Sequence, residues 1–145
     1  MARRLCLAVC LLFLSCEDAT APAGAEVPLD SEFNLALGET VTVSGTGLSI
    51  RFAGVPEDSR CPPVWYCFWA GNARIELEVS GWLAVRDWRP GIKLGGGPVS
   101  LNTNTSIGPS AVRVGCYELR LISLAPESAP QVPGDYEATL RVVRD

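Results

Sequence analysis

Cys61 and Cys67 stand six positions apart in Asp58-Ser59-Arg60-Cys61-Pro62-Pro63-Val64-Trp65-Tyr66-Cys67-Phe68-Trp69-Ala70-Gly71, the densest run of chemically distinctive residues in the chain. Such a pair can be a redox couple, part of a metal site or a structural bridge. Redox couples favour C-x-x-C at the start of a helix. This pair is C-x5-C with no adjoining helix signal, so the spacing predicts a structural disulfide in an oxidising compartment. The loop it closes is short, worth about 2 kcal/mol, mostly by restricting the unfolded chain. Cys116 is then left over. It follows Gly115 and precedes an alternating segment, and is expected as a small buried apolar residue, with an interchain bridge or a reactive thiol as the alternative.

Other chemistry is thinly supplied. The chain has no histidine and a single lysine, which removes the imidazole base, the proton shuttle and the histidine metal ligand, and with them Ser-His-Asp hydrolysis and most zinc catalysis. Asp58, Asp87, Asn102 and Asn104 offer loop oxygens for calcium, but no D-x-D-x-D-G run preorganises a ligand set. Asp58 is expected instead to cap a turn and pair with Arg60. No pair of carboxylates stands out for acid–base work. No catalytic residue, metal or cofactor is expected.

Trp65, Tyr66, Phe68 and Trp69 surround the cysteines. Such rings can serve as a stacking platform for a sugar or peptide. The expectation is that Phe68 and Trp69 plug one end of the domain while Trp65 or Tyr66 lies half exposed. The best candidates for a contact surface are Arg60, Trp65, Tyr66 and Trp88.

Cys16 belongs to a different pattern. It ends Leu11-Leu12-Phe13-Leu14-Ser15-Cys16, preceded by Arg3-Arg4 and an apolar run from Leu5. A positive end, a short apolar segment and a processing site form an export signal. Ten apolar residues rise about 15 Å as a helix, half the hydrocarbon thickness, so a permanent span is disfavoured. Phe13-Leu14-Ser15-Cys16 resembles the lipobox of bacterial lipoproteins, which implies a diacylglycerol on the Cys16 sulfur and attachment to a membrane on its exported side. The alternative is cleavage after Ala21-Pro22-Ala23 and a secreted soluble domain.

Removing residues 1–15 of 145 leaves 130, enough for one domain with one core. Without Arg3 and Arg4, 10 basic residues face 16 acidic ones, a formal charge of −6. That balance argues against nucleic acid.

The elements that must position these residues read as strands. Residues 16–31 are small, acidic or proline, and read as a tether. From residue 32 to 145, short alternating segments are separated by Gly, Pro, Asn and Asp. Phe33, Leu35 and Leu37 alternate, and Gly38-Glu39 leads into Thr40 to Ser44, expected as a first hairpin. Leu48, Ile50 and Phe52 alternate next. Arg74 to Val79 alternates most clearly, with Trp82 to Arg86 expected as its partner across Ser80-Gly81. Gly91 to Pro98 is glycine-rich and expected as a loop, followed by a short strand over Val99 to Asn102. Further strands are expected at Val112, from Tyr117 to Leu121 and from Tyr136 to Val142. About eight strands suit an all-β, antiparallel two-sheet sandwich, with a partly open barrel as the alternative.

The combination Asp58-Ser59-Arg60-Cys61-Pro62, then Cys67-Phe68-Trp69-Ala70-Gly71-Asn72-Ala73, resembles a group of uncharacterised bacterial exported proteins and lipoproteins that share D-S-R-C-P and C-x-W-x-G-x-A before an alternating strand. The resemblance runs loosely through residues 33–143 and implies a small β-domain of no established activity. Separately, Trp88-Arg89-Pro90 resembles one loop motif of the chagasin-like cysteine-protease inhibitors, which implies an inhibitor presenting the Trp88 to Gly97 loop. The leading expectation is an acidic, lipid-anchored cell-envelope domain that binds an envelope protein or glycan and is not an enzyme.

Overall fold

The computed structural model describes residues 24–83, 92–130 and 134–145, with backbone path alone for 82, 83 and 92–97. Nine strands lie in the described residues: β1 (Ala25–Val27), β2 (Glu32–Ala36), β3 (Thr40–Val43), β4 (Leu48–Asp58), β5 (Ala73–Leu83), β6 (Ile92–Asn102), β7 (Ala111–Val114), β8 (Tyr117–Ala125) and β9 (Glu137–Arg144). They form two sheets, β1-β3-β4-β5-β6 and β2-β9-β8-β7. Every pairing is antiparallel except β1 with β3. The sheets do not close into a barrel, and the architecture is a β-sandwich.

Period-two alternation supplies the core. Val41 and Val43, then Leu48, Ile50 and Phe52, then Ile75, Leu77 and Val79 turn inward from the first sheet. Phe33 and Leu35, Leu119 and Leu121, and Ala138, Leu140 and Val142 meet them from the second. Charged residues take the opposite face of β5, where Arg74 pairs with Glu57 and Glu78 with Arg51. In β8 the register shifts between Leu121 and Ser123. The extra residue, Ile122, is exposed, and the inward set resumes at Leu124. A bulge thus shifts the alternation without losing the core.

Four expectations about the elements need correction. Phe33–Leu37 and Thr40–Ser44 do not form a hairpin: β2 pairs with β9 and β3 with β4. The Leu37 N–H donates to the Tyr136 carbonyl of one sheet, and the next N–H, that of Gly38, donates to the Phe52 carbonyl of the other. Gly38 sits at φ +86°, a conformation that glycine adopts without strain, and it carries the chain across the gap between sheets. Residues 24–31 are not all tether, because β1 pairs with β3 and buries Val27.

Nor does Ser80-Gly81 turn the chain. β5 runs through it to Leu83, and the register shift beside Gly81 marks a bulge. A side chain at Gly81 would collide with the Gly47 carbonyl of the β3–β4 turn. The glycine-rich stretch is likewise not a loop, since residues 92–97 form the first half of β6, paired along β5. β6 is an edge strand, where Pro98 can sit without depriving a neighbour of an N–H. Residues 92–97 of the segment expected as an inhibitor loop are therefore strand, while Trp88-Arg89-Pro90 lies outside the described residues. Cys16 and the A-x-A site lie outside them too.

Candidate functional site

The loop from Asp58 to Asn72 joins β4 to β5, and the sequence shapes its base before its tip. Two register shifts in β4, between Phe52 and Gly54 and between Gly54 and Glu57, bend the strand as it approaches the loop. Ser59 then closes the base. Its N–H and hydroxyl both donate to the Asn72 carbonyl, at 2.7 and 3.1 Å, and its Oγ accepts from the Asn72 N–H at 3.1 Å. The two segments approach so closely that a Cβ on Gly71 would collide with the Ser59 carbonyl oxygen. Asn72 is buried, donating to Asn102 Oδ1 at 2.8 Å and accepting the Asn104 N–H at 3.0 Å. Thr103 bonds to Ala73 through both its hydroxyl and its N–H. The stem is thereby fixed to the β6–β7 connection.

Behind the stem lies a buried ion pair. Asp58 Oδ1 accepts from the Arg60 N–H at 3.1 Å and from Nε at 2.9 Å, while Oδ2 accepts from Nη2 at 2.7 Å. Arg60 Nη1 donates to the carbonyls of Leu124, 3.0 Å away, and Pro126, 2.6 Å away. The Tyr136 hydroxyl donates to Asp58 Oδ2 at 3.1 Å. The arginine and aspartate side chains are only 10% and 8% exposed. Burial by itself raises the Asp58 pKa, but the hydrogen bonds and charge of Arg60, with the Tyr136 hydroxyl, outweigh it and hold the carboxyl below its ordinary value. Burial, together with the Asp58 carboxylate, pushes the Tyr136 phenol up.

These contacts confirm the expected Asp58–Arg60 pairing and correct the placement of Arg60 on a contact surface. The guanidinium forms part of a shallow cleft of about 420 Å³ between the β6–β7 connection and residues 121–127. Four of its five donors are already engaged within the protein. It braces the loop from behind.

The Cys61–Cys67 disulfide is present, with the two Cα atoms 5.9 Å apart. Beyond it the Trp65 N–H donates to the Pro62 carbonyl at 3.0 Å, tightening the tip. The aromatics do not plug the sandwich, contrary to expectation. Trp65 is 71% exposed, Tyr66 97%, Phe68 94% and Trp69 76%, and Val64 stands out beside them. The core is already filled at this end by Ala73, Ile75 and Leu101, all fully buried.

Cys116 is also exposed, against expectation. It shares with Gly115 the two-residue turn between β7 and β8, and Gly115 at φ +62° supplies the positive φ that a tight hairpin needs. The loop oxygens considered for calcium are dispersed: Asp58 serves Arg60, Asn102 Oδ1 accepts from Asn72, and Asn104 Oδ1 accepts the Ser106 N–H. Asp87 lies outside the described residues. Among the described residues no group of three or more cysteines and carboxylates is placed to hold a metal ion.

What the arrangement offers chemically is contact. A rigid stem, closed by backbone approach, a buried ion pair and a disulfide, presents five large apolar side chains to solvent. Comparison with family models, with curated proteins and with solved structures finds no match.

Proposed function

We propose that this protein is a lipid-anchored binding module of the bacterial cell envelope, held through Cys16 on the exported side of a membrane. It acts by contact through the disulfide-closed aromatic loop rather than by catalysis. One observation carries the reading: Val64, Trp65, Tyr66, Phe68 and Trp69 are all exposed on a loop whose stem is over-determined. Contiguous exposed apolar side chains of this size mark interaction surfaces, and tryptophan and tyrosine dominate the energetics of such surfaces. The stem holds the tip in place before any partner arrives, which reduces the ordering entropy that binding must overcome.

Two measurements test this. Intact mass of the protein from its native membrane is expected to show a diacylglyceryl or triacyl group on Cys16, with two cysteines alkylated only after reduction. Capture of envelope components is expected to depend on Trp65 and Tyr66. Unchanged capture by Trp65→Ala and Tyr66→Ala variants would sink the contact surface.

A further inference from the structure

Residues 61–73 contain no charged side chain. Of the ions at the foot of the loop, Asp58 and Arg60 are buried and paired with each other, and Glu57 and Arg74 pair on the outer face of the sheet. Tyr66 carries the one hydroxyl among the exposed large side chains of the tip, so a glycan would find rings but few groups to hold its hydroxyls. The side chains project outward, with Tyr66 and Phe68 almost wholly exposed. An uncharged convex tip of tryptophan, tyrosine, phenylalanine and valine has the composition of side chains that settle at the boundary between headgroups and acyl chains.

The path of the chain supplies a second, independent observation. β1 runs parallel to β3, with Ala25 opposite Val41 and Thr40 opposite Arg51. Gly24 therefore lies level with Arg51 and Glu78, packed on the Thr40 carbonyl. From that level β4 runs on to Asp58, paired with Ala73 at the foot of the loop. β1, like β3, therefore runs away from the aromatic loop, and it starts level with the middle of β5. Five residues of β5, from Glu78 to Ala73, separate the two levels, about 17 Å at the rise of a strand. Cys16 precedes Gly24 by eight positions, a contour of at most about 28 Å. The anchor cysteine can therefore lie at or beyond the level of the foot of the loop.

We infer that the aromatic loop seats in the lipid–water interface of a membrane, with Val64, Trp65, Tyr66, Phe68 and Trp69 as the inserted side chains. The inference rests on reading the loop as the contact surface. The acidic balance, 16 acidic residues against 10 basic once residues 1–15 are removed, makes the favoured surface zwitterionic rather than anionic, and the uncharged tip makes the seating insensitive to salt.

The test mixes protein purified from its own envelope with phosphatidylcholine vesicles whose acyl chains carry bromine, a contact quencher of indole emission. Quenching is expected, and it should persist between about 0.05 and 1 M salt. It should fall about threefold in Trp65→Ser/Trp69→Ser, which removes the two interfacial indoles. An acyl chain on Cys16 brings both forms to the vesicle alike, so the difference reports the loop. Circular dichroism checks that the variant is folded. Absent quenching, or equal quenching in both forms, overturns the inference. If the variant instead loses a captured envelope protein with no quenching in the wild type, the loop remains a contact surface but its occupant is a protein. If neither changes, the contact surface falls as well.

Discussion

Arg60 joins segments that are remote in sequence. Its guanidinium reaches carbonyls 64 and 66 residues away while its other face holds Asp58. Truncating it leaves a buried carboxylate without its counter-charge, held only by the Arg60 N–H and the Tyr136 hydroxyl, and takes a donor from the Leu124 and Pro126 carbonyls. Arg60→Ala is therefore expected to lose about 3–5 kcal/mol in urea denaturation, and Arg60→Lys to rescue little because an ammonium cannot fork to both sides. The pH dependence follows from the lowered pKa of Asp58. Its contribution is complete above the ordinary carboxylate range, and it disappears as pH falls through the lower value it has when folded. An acid titration of stability should accordingly lose part of its slope in Asp58→Asn. Tyr136 acts at the other end of the scale, where its raised pKa gives stability that is full below about 10 and fades as pH rises through the folded value. The Asp58–Arg60 pairing is legible from adjacency in sequence. The burial of Arg60 is not, because the carbonyls that satisfy it belong to distant residues whose types carry no signal. The exposure of Phe68 and Trp69 is hidden for a related reason: large aromatic side chains are ordinarily core material, and only the packed structure reveals that the core is full without them.

At the level of elements, alternation announces β4, β5, β8 and β9 plainly, since each offers one apolar and one polar face. It is faint on β6, where Gly95-Gly96-Gly97 interrupt any side-chain pattern after Ile92-Lys93-Leu94. That strand is held by pairing with β5 rather than by its own propensity. It also misleads at Gly38, where two alternating segments joined by a turn look like a hairpin yet enter different sheets. The aromatic loop is an element whose shape depends on a covalent ring and a hydrogen-bonded stem together. A Cys61→Ala/Cys67→Ala variant is expected to lose about 2 kcal/mol while keeping the sandwich. Hydrogen exchange should then quicken in residues 64–70 and stay slow at Ser59 and Asn72, whose mutual bonds do not involve sulfur. Equal loss of protection at the stem would show that the ring holds the loop at both levels.

For the whole molecule, β9 is the strand on which the second sheet depends. It lies between β2 and β8 and buries Ala138, Leu140 and Val142 against the opposite sheet. Removing residues 137–145 strips partners from both neighbours and opens the core, so the truncated chain is expected to show no cooperative thermal transition. A truncated chain that still melted cooperatively would mean that the five-stranded sheet folds alone. The parallel pairing of β1 with β3 has a mechanical consequence. Tension applied to residue 24 from an anchor on the side of the aromatic loop draws Ala25–Val27 along the strand axis, roughly at right angles to the hydrogen bonds that join it to β3. The bonds share the load in shear instead of opening one after another like a zip. A domain pulled by its leash at that end should hold longer than one gripped so as to peel the edge strand away.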